Sequence, residues 1–183
     1  MKVGIILGSI REGRLGEQVA NFVKQVADGR DSGVEYELID LKSFNVPLLT
    51  SGVHPMKANK QYDSAEVTAW SQAIDACDAF VFVTAEYNHG VPGAFKNAVD
   101  SLGAEWVGKP VGFVAYGSVG GVRSIENWRT VLANFSMPNS RAEVNIGTFT
   151  EFKDGKFTPT DRRETEVGHV FDEVEQLATK LAK

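Results

Sequence analysis

The residue types best suited to chemistry near the N-terminus are Ser9, Arg11 and Arg14, set among glycines in the run Leu7-Gly8-Ser9-Ile10-Arg11-Glu12-Gly13-Arg14-Leu15-Gly16. An apolar run, Val3 to Leu7, precedes them. Val19, Phe22, Val23 and Val26 follow at the spacing of one helical face. The pattern predicts a strand, a small-residue loop and a helix N-terminus, which offers free backbone N–H groups and the positive end of a helix dipole to an anion. Ser9 adds a hydroxyl, Arg11 and Arg14 can pair with phosphate, and the glycines let backbone approach closely. The stretch reads as a phosphate cradle; the alternative is a strand-to-helix turn whose glycines serve only the turn. It is not a dinucleotide fingerprint, because Ile10 stands where the second glycine belongs, nor a Walker loop, because no lysine occurs between Lys2 and Lys24.

Two further loops follow apolar strands in the same way. Ala85-Glu86-Tyr87-Asn88-His89-Gly90-Val91 succeeds the β-branched run Asp78 to Thr84, which suits a strand buried on both faces. Pro92 then opens a helix with Phe95, Ala98, Val99 and Leu102 on one face. Gly117-Ser118-Val119-Gly120-Gly121 succeeds the strand Val111 to Tyr116 and precedes a helix striped with Ile125, Trp128, Leu132 and Phe135. No Ser/His/Asp or Cys/His arrangement, no H-E-x-x-H and no paired cysteines accompany these loops, so a metal site is not expected. Cys77 falls on an apolar helical stripe and reads as core, while His54 and His169 have no visible partners.

The elements that must position these loops alternate. A second strand is expected over Val34 to Ile39 and a fifth over Ala142 to Ile146, with a hairpin extension from Gly147 to Phe157. Between Asp40 and Tyr62 the periodicity disappears, and a connection of that length suits a rim or lid over a pocket. Asp63-x-x-Glu66 and Asp161-x-x-Glu164 have the form of capping boxes opening helices, the second a long last helix with Val167, Val170, Phe171 and Val174 inward. Five strands alternating with helices predict an α/β fold with a parallel sheet and helices on both faces. The order 2-1-3-4-5 is expected, because it puts strands 1 and 3 side by side at the switch point where ligands bind. The loops after strands 1, 3 and 4 then meet at one carboxyl edge and make one site.

At 183 residues the chain fits one domain, 1–183, with a substantial core. A 43% apolar and 23% charged composition is that of a globular protein. The formal net charge of −5 argues against nucleic acid as the main partner. No apolar run reaches membrane-spanning length, and Lys2 leads directly into a strand pattern without a signal-peptide core. A single cysteine excludes an internal disulfide, and a cytoplasmic location is expected.

The chain resembles the NADPH-dependent FMN reductase family in Gly8-Ser9-Ile10-Arg11 with Arg14-Leu15-Gly16, and more specifically in the run Glu86-Tyr87-Asn88, Val91-Pro92-Gly93 and Lys96-Asn97-Ala98. That resemblance spans strand 1 to about Phe135. It implies a flavodoxin-like three-layer sandwich, bound FMN, and NADPH or NADH as hydride donor to a quinone, azo, chromate or flavin acceptor. It also implies a homodimer or dimer of dimers, with the flavin near the subunit boundary. Under the resemblance Ser9 and Arg11 hold the FMN phosphate with backbone from Arg14, Leu15 and Gly16. Glu86, Tyr87 and Asn88 line the isoalloxazine, and Gly117, Ser118, Gly120 and Gly121 close its other side. Tyr87, His89 and Trp106 are candidates for lining the substrate, with Trp106 equally suited to an interface and His89 to solvent. Arg123 and Arg129 either bind the donor's extra phosphate or face solvent. Two positions depart from the family: Ala85 stands where many relatives have Pro, and Arg14 and Gly16 where many have Ser and Asn. No protein nucleophile is needed, because in a flavoenzyme the cofactor carries the hydride. The rival readings are an electron carrier and a flavin reductase that releases reduced FMN to a partner enzyme.

Overall fold

The computed structural model describes residues 1–182. The elements run β1 (Lys2–Leu7), α1 (Gly16–Asp28), β2 (Glu35–Asp40), α2 (Leu41–Phe44), α3 (Pro55–Ala58), α4 (Ala65–Asp75), β3 (Ala79–Ala85), α5 (Gly93–Asp100), β4 (Val111–Gly117), α6 (Val122–Ala133), β5 (Asn139–Gly147), β6 (Phe152–Lys153), β7 (Lys156–Phe157) and α7 (Arg162–Leu181). β1 to β5 form one parallel sheet in the order β2-β1-β3-β4-β5, as expected, and β6 and β7 form a small antiparallel hairpin. β3 is buried along its whole length, as its near-continuous apolar run suits a strand covered on both faces.

The two faces bury separate cores. On one, α4, α5 and α6 cover Ile6, Phe80, Phe82, Phe113 and Ala115. On the other, α1 and α7 cover Val3, Ile5, Leu7, Val81, Val83, Val114 and Val144. The first core is aromatic. Phe82 packs against Phe95, Trp106, Phe113 and Trp128 with ring centroids 4.7 to 6.1 Å apart. Each buried indole finds an acceptor: Trp70 donates to Ala98 O at 2.9 Å, Trp106 to Val99 O at 3.1 Å and Trp128 to Thr84 Oγ1 at 3.0 Å. Trp106 is therefore a core residue, fully buried and hydrogen-bonded inward, and it lines neither substrate nor surface.

The connection between β2 and α4 borders a pocket, as a rim would. It folds into two short helices and lies against α4 and α5, enclosing a separate cavity of about 400 Å³ lined by Leu48, Leu49, Val53, Tyr62 and Val67. Asn97 ties it down, accepting from Leu49 N at 2.9 Å and donating to Pro47 O at 2.8 Å. Its far end is held by Glu105, a buried carboxylate that accepts from Tyr62 Oη at 2.8 Å, Ser71 Oγ at 2.6 Å and Gly103 N at 3.0 Å. Three donors on one carboxylate make its burial tolerable.

Neither expected capping box forms. α4 is capped by Ser64, whose Oγ accepts from Val67 N at 3.2 Å, one residue later than Asp63. Ser64 has the extended backbone that an N-cap needs. Asp161 already has helical dihedrals, so its carboxylate cannot reach back to the first turn, and α7 starts without a side-chain cap.

Candidate functional site

The loops after β1, β3 and β4 meet at the carboxyl edge of the sheet around a cavity of about 380 Å³. That volume lies in the range of about 300–1,000 Å³ usual for cofactor and ligand sites. Ser9, Arg11, Arg14 and Leu15 line it from the first loop, Glu86 and Tyr87 from the second, and Gly117 and Ser118 from the third. The three loops converge there because β1 pairs with β2 on one side and β3 on the other.

The first loop delivers donors to one point. Ser9 is buried, with Oγ 3.1 Å from Tyr87 Oη. The Arg11 guanidinium lies over the Tyr87 ring, 5.8 Å from its centroid. Among the described residues no carboxylate pairs with Arg11, which leaves its charge available to a ligand. Behind it, α1 opens at Gly16 without a side-chain cap; Gln18 N donates to Leu15 O at 3.1 Å, and the N–H groups of Gly16 and Glu17 are left for a ligand. A side chain at Gly16 is excluded, since a Cβ there would sit 2.2 Å from Tyr116 Oη.

Arg14 is not part of the donor set. Its guanidinium grips both carboxylate oxygens of Asp40, one of them at 2.7 Å, and donates to Ser9 O at 2.6 Å. With its side chain 8% exposed, this arginine spends its charge on the end of β2 and its hydrogen bonds on fixing the loop. Asp40 raises the Arg14 pKa further, so the pair persists. The positive charge expected from two arginines comes from Arg11 alone.

The second loop is a tight turn. Tyr87 N donates to Gly90 O at 3.1 Å and Gly90 N to Tyr87 O at 3.0 Å, closing a two-residue hairpin. Asn88 and His89 at its tip both have positive φ, 51° and 67°. Asn accepts that geometry readily, whereas at His89 it costs energy that the closed turn must offset. Both side chains are exposed and neither lines the cavity, so Asn88 and His89 shape the turn that presents Tyr87. Ala85, at the position where many relatives have Pro, pairs with Tyr116 in register, and Glu86 N donates to Tyr116 O at 3.2 Å. The turn is anchored without the proline.

Glu86 links the second and third loops. Its carboxylate accepts from Arg123 N at 3.0 Å and from the Arg123 guanidinium at 2.9 Å, satisfying an N–H in the first turn of α6. Arg123 is thereby engaged. Arg129 is as well: it donates to Ser140 O at 2.9 Å and Glu143 at 2.8 Å and lies over the Phe113 ring, so it does not face solvent freely. Gly120 and Gly121, with φ of 81° and 74°, turn the chain into α6. They contribute backbone conformation, not cavity wall.

Gly13 and Ala85, within loops the sequence singled out, also line the cavity, and two lining residues escaped the sequence reading: Tyr116 and Thr148. Tyr116 carried a signal, a hydroxyl ending an otherwise apolar strand at the carboxyl edge. Thr148 carried none, because its place depends on how β5 ends. Burial pushes the Tyr116 phenol up from its ordinary 10.0 to about 12. Among the described residues no group of His, Cys, Asp and Glu converges as metal ligands would, and no helix is long and apolar enough to cross a membrane.

With this geometry in place, the comparisons with known proteins decide the family. Residues 1–151 match the family model of NADPH-dependent FMN reductases. The chain belongs to that family. It is 35% identical over 145 residues to an NAD(P)H-dependent FMN reductase of Saccharomyces cerevisiae, covering 75% of this chain and 76% of that protein. It is 32% identical over 139 residues to a quinone reductase of Escherichia coli K12, covering 72% and 69% of the two. Among solved structures, the flavoenzyme NAD(P)H:(acceptor) oxidoreductase of Paracoccus denitrificans superposes with a TM-score of 0.71 at 23% identity over 97% of both chains, which establishes the shared fold. The fold is flavodoxin-like, a three-layer sandwich.

The raised pKa of Tyr116 has a definite pH signature. A phenol whose pKa is about 12 when folded and near 10 when unfolded contributes stability in full below pH 10 and loses it as pH rises towards 12. Urea unfolding of the apoprotein should therefore lose about 2–3 kcal/mol more across that window than unfolding of Tyr116→Phe. Equal alkaline slopes for the two proteins would show that Tyr116 ionises freely.

Proposed function

We propose that the carboxyl-edge cavity holds FMN and that the protein passes hydride equivalents from NADH or NADPH to a quinone or a related small acceptor. The observation that carries this reading is the unpaired Arg11 guanidinium beside the buried Ser9 hydroxyl and the open N-terminus of α1. This donor set fits a phosphate monoester. The names of the yeast and Escherichia coli relatives support the donor and the acceptor class. Bound there, FMN would supply the redox chemistry, accepting hydride from the nicotinamide and delivering electrons to the acceptor.

The chain's own residues would bind and orient. Ser9, Arg11 and the backbone from Arg14 to Gly16 take the phosphate. The Tyr87 turn and the Gly117–Ser118 backbone form facing walls for the planar ring, with Glu86 holding the two walls at a fixed separation through Arg123. The neutral Tyr116 phenol lies behind Gly16 and excludes water from the base of the cavity. His89 and Asn88 shape the turn, and no side chain is asked to act as a nucleophile. The whole chain, 1–183, acts as one FMN-binding unit in the cytoplasm.

Exposed Leu48, Leu49, Val53 and Met56 on the connection before α4, with Leu48 77% exposed, support association into a homodimer or a dimer of dimers. Sedimentation at micromolar concentration should give at least twice the chain mass, and a clean monomer there would overturn this part of the reading.

The decisive experiment is an absorption spectrum before and after anaerobic addition of NADPH, then NADH. The expected outcome is an oxidised-flavin spectrum that bleaches, and recovers when a benzoquinone is added. A flavin that ignores both nucleotides would mark an electron carrier. Flavin lost on desalting would favour a reductase that exchanges FMN with a partner enzyme. A colourless protein that binds no added FMN would remove the site assignment.

Replacing Arg11 by Ala should weaken FMN binding by about 1.5–3 kcal/mol, the scale of a charge-assisted hydrogen bond. Fluorescence titration of the apoprotein measures it, and unchanged affinity would take Arg11 out of the cradle.

A further inference from the structure

The least solvent-exposed ion pair in the described chain joins Glu151, after β5, to Arg163 in the first turn of α7, with side chains 4% and 6% exposed. Arg163 lies beyond the 1–151 region that matches the family, and the cavity does not include it. Four of the five N–H groups of its guanidinium are engaged. Nε donates to Glu151 at 2.8 Å, one terminal nitrogen to Glu151 at 2.6 Å and Asn145 O at 2.7 Å, and the other to Glu166 at 2.5 Å.

Two of its three acceptors, Glu151 and Asn145, lead to the cavity wall. Glu151 closes the turn after β5: its backbone N–H donates to Gly147 O at 3.0 Å, and its carboxylate accepts from Gly147 N at 3.4 Å. Inside that turn Thr148 lines the cavity and donates its N–H to Gly117 O at 2.9 Å, on the third loop. Asn145 packs under the same loop, its Cβ 2.9 Å from where a side chain on Gly120 would begin. A buried ion pair is a poor device for stability, since well-packed apolar residues of similar volume often replace it without loss. A two-pronged fork that fixes two backbone segments at once does what apolar packing cannot.

We infer that Arg163 is a positioning residue for the cofactor cavity, holding Thr148 and the Gly117–Gly121 loop in place through Glu151 and Asn145. The inference rests on the assignment of that cavity to FMN. The Glu151 carboxyl is held below the ordinary carboxylate range by Arg163 despite its burial, so the pair is ionised at neutral pH.

Stability and positioning separate in the double variant Arg163→Met, Glu151→Leu, which removes both charges and keeps apolar bulk. Its urea midpoint as apoprotein should return close to that of the wild type, whereas Arg163→Met alone leaves a buried carboxylate and should fall. FMN affinity, read by fluorescence titration, should stay weakened about tenfold or more in the double variant. Arg163→Lys, which keeps the charge and loses the fork, should show the same loss. Hydrogen exchange at Thr148 N–H should accelerate in all three. FMN affinity within about twofold of wild type in either the double or the Lys variant would overturn the inference. If the wild type itself takes up no FMN, the cavity assignment fails instead. Exchange at Thr148 then still decides the clamp, and unchanged protection in the variants would refute it.

Discussion

Strand β1 hydrogen-bonds to β2 along one edge and to β3 along the other, and the chain leaves these pairings by crossovers on opposite faces of the sheet. α1 returns over the face it shares with α7; α4 crosses the face it shares with α5 and α6. The loops at the ends of β1 and β3 therefore diverge, and a crevice opens between them that no other pair of strands in this sheet can form. The order of burial follows from the same constraint. β3 is almost wholly apolar because it is covered on both sides; its one polar side chain, Thr84, is hydrogen-bonded by Trp128, and charged and exposed polar residues return once the strand has left the sheet, at Glu86 and Tyr87. Function sits at the carboxyl edge because that is where the backbone is released from the ladder.

The charges around the crevice divide the work. Arg14 is neutralised by Asp40, Glu86 by Arg123, and Glu151 by Arg163. Each pair fixes one wall: the first loop to the end of β2, the second loop to α6, and the turn after β5 to α7. Paired charges of this kind contribute little net stability when exposed, and they are costly when buried unless fully hydrogen-bonded. Their geometry is the more useful product, because a guanidinium fork accepts few orientations. Against three neutralised pairs stands, among the described residues lining the cavity, one arginine without a carboxylate partner, Arg11, so a single anionic group is attracted to a defined point.

The sheet order, the five strands and the three converging loops were legible because they depend on periodicity and on glycine and proline punctuation, which are local properties. The double role of basic residues was not. Arg11 and Arg14 are three positions apart in a loop, and nothing in the sequence near them shows that Asp40 will arrive beside one and not the other. Trp106 misled for a related reason: a tryptophan after a glycine suits a surface cover, and its inward hydrogen bond to Val99 O appears only when the helix before it is packed. The capping boxes failed on backbone dihedrals, since Asp161 has the right side chain with a helical backbone and Ser64 takes the extended backbone next to Asp63. Thr148 is a residue of ordinary type in an irregular turn, and its position depends on a salt bridge to a helix that begins fourteen residues later.

That last dependence bears on what the C-terminal part of the chain is for. The family match ends at residue 151, yet α7 lies beyond it and shares with α1 the covering of one face of the sheet. Val167, Val170, Phe171 and Val174 are fully buried there against β3, β4 and β5, each worth roughly 1.5–3 kcal/mol relative to exposure. Gly112 in β4 is small because Val170 occupies the space, with 2.5 Å between the valine methyl and a Cβ built on the glycine. A face covered this closely cannot be completed by water or by an arbitrary helix. α7 is thus as much a part of the sandwich as α1 beside it. The first turn, just ahead of that apolar stripe, carries Arg163 to the turn after β5. One helix seals the core and fixes the far wall of the site, so changes to its packing register on ligand binding as well as on stability.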